Sequence, residues 1–133
     1  MATEQASLDP TEFILLDGDK KISAANLRQD FIRNYSINHT LGLGDAGSTI
    51  HCKKGTAQQI TLPHYGTTPF RVGTTVGVLW LGAGAVTIKA ATGVTLNAVS
   101  GGSGALTAQF SLVLCVKIGQ NTWVATGAIG TVS

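Results

Sequence analysis

At 133 residues the chain has room for one domain with a short appendage, and 44% hydrophobic against 12% charged residues excludes intrinsic disorder. The net charge of +2 is unevenly spread: residues 1–45 hold all seven carboxylates and four bases, residues 46–133 five bases and no acid. Five dispersed cations make no nucleic-acid footprint, and no run of about 18 apolar residues offers a membrane span, so neither partner is expected.

The first eleven residues are polar and aperiodic, ending in Asp9-Pro10, and read as an arm. Met1 is followed by polar residues, not by the apolar stretch of a secretory leader. Glu12-Phe13-Ile14-Leu15-Leu16 is an apolar run closed by Asp17-Gly18-Asp19, with Lys20-Lys21-Ile22 beyond. Asp-Gly between two short apolar segments predicts a hairpin. Ser23 then sits at an N-cap position ahead of residues 24–33, where Leu27 and Phe31 share a helical face. The pattern predicts one helix of about ten residues ending near Asn34.

Residues 35–47 read as a glycine-containing connector, after which the hydrophobic period falls to two. Strands are expected at 48–52, 57–62, 74–81, 86–90, 94–97, 109–118 and 122–127, with a shorter extended piece at 70–72. Turn signals separate them: Lys53-Lys54-Gly55, Pro63, Gly82-Ala83-Gly84, Thr92-Gly93 and Gly119-Gln120-Asn121. Ser100 to Gly104 reads as a mobile tip, and the tail 128–133 as a further edge strand. Along the longest strand Phe110, Leu112, Leu114, Val116 and Ile118 fall on one face.

These patterns predict a mainly β fold, an antiparallel β-sandwich or small barrel, preceded by an arm, hairpin and short helix. Two domains are expected, 1–45 and 46–133. Segments 76–81 and 112–116 are apolar on both faces, so each must be covered twice, once by the sister sheet and once by another subunit. A surface with so few charges points to assembly rather than to a free-standing enzyme.

Chemistry-bearing residues are few. Asp17 and Asp19 sit where a turn alone explains them, leaving no paired carboxylates in the β-region. His39, His51, His64, Cys52 and Cys115 lack metal-ligand spacing, although one histidine per chain could meet its copies on a three-fold axis. No nucleophile elbow or phosphate loop is present, and two buried thiols are expected in place of a disulfide. No catalytic residue, cofactor or metal site is therefore expected. Trp80, Trp123, Tyr35 and Tyr65 could stack on sugars, but so few aromatics suit core or interface anchoring better.

Several segments resemble a module of tailed-bacteriophage virions found in tail-fibre and head-decoration proteins. They are 59–63, Pro69-Phe70-Arg71-Val72-Gly73-Thr74, 82–88 with 93–96, and 116–127; residues 16–22 with Leu27 are similar to its leading hairpin and helix. The likeness spans about 12–127 and brings no catalytic residues. It implies a β-rich virion protein, commonly trimeric, made in the host cytoplasm. With no repeat for a fibrous shaft, a decoration (cement) protein on the capsid surface is expected, its partners sister copies and the major capsid protein. Residues 1–45 would dock on the shell and 46–133 trimerise. Phe13, Leu15, Leu27, Phe31, Val78, Trp80, Leu112 and Trp123 are the side chains expected at those contacts. The alternative is a fibre domain that binds a receptor or host-surface glycan, marked by exposed Trp80 or Trp123.

Overall fold

A computed structural model describes residues 32–133, which are mainly β-strand. The expected hairpin, most of the expected helix, and Phe13, Leu15, Leu27 and Phe31 lie outside the described residues.

The strands are β1 (Ile32–Tyr35), β2 (His39–Thr40), β3 (Thr49–Cys52), β4 (Gln58–Leu62), β5 (Thr75–Trp80) and β6 (Val86–Ala90). They continue as β7 (Thr95–Leu96), β8 (Val99–Ser100), β9 (Ser103–Ala105), β10 (Leu112–Gly119) and β11 (Thr122–Gly127). Seven of them make one sheet, in the order β1-β3-β5-β10-β11-β7-β8. The other four make a second sheet, β9-β6-β4-β2.

From β1 to β6 the chain alternates between the sheets at every step. Successive strands of one sheet therefore run the same way: β1, β3 and β5 pair in parallel, as do β2, β4 and β6. This is a spiral of three rungs, each rung one strand from each sheet. The chain then folds back, with β9 antiparallel on β6 and β10 antiparallel on β5. The sheets are mixed where purely antiparallel pairing was expected. The physical reason is that connectors such as 53–57 carry the chain across the sandwich instead of reversing it beside its own strand.

Strand alternation supplies the core between the sheets. Ile50, Cys52, Val76, Val78, Val113, Cys115, Trp123 and Ala125 from the seven-stranded sheet meet Ile60, Leu62, Val86, Ile88 and Ala90 from the other. Phe70 packs edge-on against Trp123, ring centroids 5.7 Å apart. Both cysteines are buried free thiols, each pushed up to about 12 by burial.

Three further expectations are corrected. Ile32, Arg33 and Asn34 belong to β1, not to a helix end, because Thr49–Cys52 offers them a parallel ladder. β1 and β2 lie in the two sheets, so residues 32–40 contribute strands to them. Ser100 to Gly104 is no loose tip: Gly102 and Gly104 are buried, and a Cβ on Gly102 would meet Val132 and Val99. The tail does run along an edge, Ser133 and Ser103 exchanging backbone hydrogen bonds of 3.1 Å each. Residues 70–72 are loop.

Candidate assembly surface

Residues of β10 alternate strictly between the core and the outside. Val113, Cys115 and Lys117 point inward, while Leu112, Leu114, Val116 and Ile118 point outward. The regular apolar row read along this strand is thus the outer row. Leu112, Leu114 and Ile118 remain 51%, 42% and 56% exposed, values a core residue never shows.

The ladder extends this row sideways. Leu112 lies opposite Leu79 of β5, Leu114 between Gly77 and Thr126, and Val116 between Thr75 and Val124. On β3, Thr49 and His51 carry the face outward, and Ile32 and Asn34 of β1 complete it. Without a side chain at Gly77 the row dips there, the glycine lying under Leu112 and beside Thr49. No Asp, Glu, Lys or Arg stands at any of these outward positions. The half-exposed aliphatic side chains together present on the order of 400 Å² of apolar surface, within the range of the largest patch on an ordinary monomer, which is often functional.

The second sheet offers an internal control. Its outward positions are Thr40, Gln59, Thr61, Thr87, Lys89, Ser103 and Ala105, an ordinary solvated face. Both sheets share one core, one chain and one solvent, yet only one is dressed for water.

Phe110 lies just before β10 and is 72% exposed, with φ 67°. A bulky side chain in the left-handed region is a genuine outlier. Its amide donates to the Trp80 carbonyl at 2.7 Å, which ties its backbone to the end of β5. His51 is the one titratable side chain within that face; burial first, then nearby Lys53, holds its pKa below the ordinary value of 6.5.

Of the eight side chains expected at contacts, Leu112 is central to this surface. Trp80 is half-buried and donates its indole N–H to the Gly82 carbonyl at 2.8 Å. Val78 and Trp123 are corrected to core residues: both are wholly buried within the chain. Their strands alternate so that Leu79 and Val124, the neighbouring residues, take the outward places. Sequence reading missed Leu79, Val124 and Ile32, although the period of two combined with the pairing register would have found them.

Two polar groups are buried beside the core. The Asp45 carboxylate, the one carboxylate side chain among the described residues, is buried. It accepts from the Tyr35 hydroxyl at 3.1 Å and the Gly42 amide at 2.8 Å, and lies 2.7 Å from His39 Nε2. Tyr35 stacks on His39 with centroids 3.8 Å apart, and burial followed by the Asp45 charge raises the Tyr35 pKa. Ser48 Oγ donates to the Asp45 backbone carbonyl, and the cluster serves as a polar plug for the first rung. Opposite in character, Lys117 is a buried cation. Its Nζ donates to the Phe70 carbonyl at 2.7 Å and stands 4.8 Å from the Tyr65 ring centroid, and burial lowers its pKa.

Among the described residues no three His, Cys, Asp or Glu side chains converge as a metal would need. No helix there is long and apolar enough to cross a membrane. Compared with known proteins, the chain matches no family model and no curated protein.

Proposed function

We propose that this chain is a structural protein of a tailed-bacteriophage virion, a decoration protein that self-associates, as a trimer, and clamps neighbouring subunits of the assembled capsid. The observation that carries this reading is the uncharged apolar face of the seven-stranded sheet beside a polar face on its partner. The sequence resemblance supplies the virion setting. Burying about 400 Å² at ~25 cal/mol per Å² gives on the order of 10 kcal/mol, comparable with the 4–15 kcal/mol lost on association. The face alone therefore sustains weak association in dilute solution. Copies held together on a shell gain by effective concentration, and each bound copy adds free energy to the assembled state only.

The alternative fibre-domain reading needed an exposed Trp80 or Trp123. One is half-buried and the other lies in the core, so that reading loses its marker.

Light scattering on a sizing column, followed by mixing with expanded empty phage shells, tests the proposal. The expected result is a concentration-dependent oligomer that co-sediments with shells. Leu114→Asp, which places a charge in the centre of the apolar row, is expected to yield a folded monomer that no longer self-associates. A wild-type protein that stays monomeric at high concentration and ignores shells refutes the reading.

A further inference from the structure

The spiral sorts its connectors by end. Segments leaving β4, β6 and β10 all emerge at one end, bringing residues 63–74, 91–94 and 120–121 together. Hydrogen bonds weld them: Asn121 Oδ1 accepts from the Tyr65 amide at 2.7 Å, its Nδ2 lies 3.3 Å from His64 Nε2, and the Thr95 amide donates to the Asn121 carbonyl. In this cluster Tyr65, Pro69, Phe70, Arg71, Val72 and Gln120 line a cavity of about 310 Å³.

Its chemistry is lopsided. Tyr65, Pro69 and Val72 are exposed there and offer an apolar wall. The Arg71 guanidinium and the Gln120 carboxamide, both on exposed residues, are the polar groups. Just behind, the Lys117 ammonium holds the Phe70 carbonyl and faces the Tyr65 ring, so two wall residues rest on a second cation. Among the described residues no carboxylate lines the cavity. A cationic ligand has no counter-charge here, and a purely apolar one leaves Arg71 without a partner.

We propose that this cavity binds a carboxylate-bearing sugar, a uronic or sialic acid unit. The volume lies at the small end of ligand sites and matches one or two pyranose rings. The C–H face of the ring lies against Tyr65 and Pro69. Arg71, whose planar fork matches a carboxylate bidentately, fixes the acid, and the Gln120 amide takes a ring hydroxyl. Shell binding is not required for this inference, which concerns the opposite kind of surface, a small wet concavity at one end of the sandwich.

The test is a ¹⁵N–¹H NMR titration of the full chain with glucuronic acid and with N-acetylneuraminic acid, using glucose and inorganic phosphate as comparison ligands. Saturable shifts at Tyr65, Arg71 and Gln120 are expected with at least one of the two acids, with affinity about tenfold above glucose and phosphate. Arg71→Gln, a change at an exposed side chain, is expected to keep the spectrum dispersed and to weaken acid binding by about tenfold, and Gln120→Ala by a few-fold. Should Arg71→Gln fail to fold, the Gln120→Ala variant carries the decision. Equal binding of glucose, phosphate bound as tightly as the acids, undiminished binding by a folded Arg71→Gln, or no shifts well above millimolar acid would overturn the proposal.

Discussion

Phe110 joins two costs that a monomer has no reason to bear, a left-handed backbone and a ring left in water. The first costs roughly 1–2 kcal/mol for an L-residue, and the second forgoes the burial that an aromatic normally contributes. A partner that covers the ring offsets both. Phe110→Gly should relieve the backbone while removing little internal packing, so stability to denaturant is expected to change by less than about 1 kcal/mol. Self-association measured by sedimentation should weaken in the same variant. A loss of about 3 kcal/mol or more, as for a core Phe, would instead make Phe110 an internal anchor.

Within single strands, the alternation of residue types told more than their identity. The strands read at 86–90 and 122–127 coincide with β6 and β11, and the row from Leu112 to Ile118 does share one face. Which side of the sheet that row takes was not legible, because period-two patterning fixes alternation and leaves the choice of face to the fold. Lys117 illustrates the difficulty. A lysine among apolar residues would mark the solvent face of most strands, yet here Phe70 and Tyr65 from a distant loop accommodate it inside. The same gap in local information hid the parallel pairing. A Lys-Lys-Gly turn signal says that the chain changes direction, not that it crosses to the opposite sheet.

Gly82-Ala83-Gly84 reads as a turn for conformational reasons, but neither glycine has positive φ. Their role is close approach. A Cβ on Gly84 would overlap the Thr56 carbonyl, and one on Gly82 would press on Lys53 and Lys54 backbone atoms. This connector between rungs rests directly on the previous one, and buried Gln58 ties the earlier layer by donating to the Tyr35 and Ile37 carbonyls. Gly84→Ala must move backbone rather than a side chain. A loss on the order of 4 kcal/mol is expected, read as a lower denaturation midpoint at unchanged slope. By contrast, Gly55→Ala, with nothing near its Cβ, should be nearly silent.

For the molecule as a whole, covering one sheet face links assembly to acidity through His51. Around its imidazole stand Asn34 on β1, Leu79 on β5 and the Lys53 charge, with no carboxylate among the described residues of the face. Because its folded pKa lies below 6.5, the folded state holds fewer protons than the unfolded one as pH falls through that value. Stability is therefore greater above pH 6.5 and declines below it, until the folded imidazole also protonates. A covering subunit removes more water from the ring, so self-association should weaken in the same direction. Sedimentation at pH 7.5 and 5.5 is expected to show dissociation at the lower pH, an effect smaller in His51→Asn. An equal pH response in both proteins would place the sensitivity elsewhere.

The doubly bonded pairing of Ser133 with Ser103 also fixes where residue 133 sits on the domain. Ser103 sits opposite Lys89, at the end where β6 finishes, and away from the apolar rows of β5 and β10. A passenger genetically joined after Ser133 would emerge beside the connectors at residues 91–94 rather than across the face that sister copies would cover. The domain could then carry cargo without blunting its own multimerisation, provided the joint leaves those last two hydrogen bonds intact.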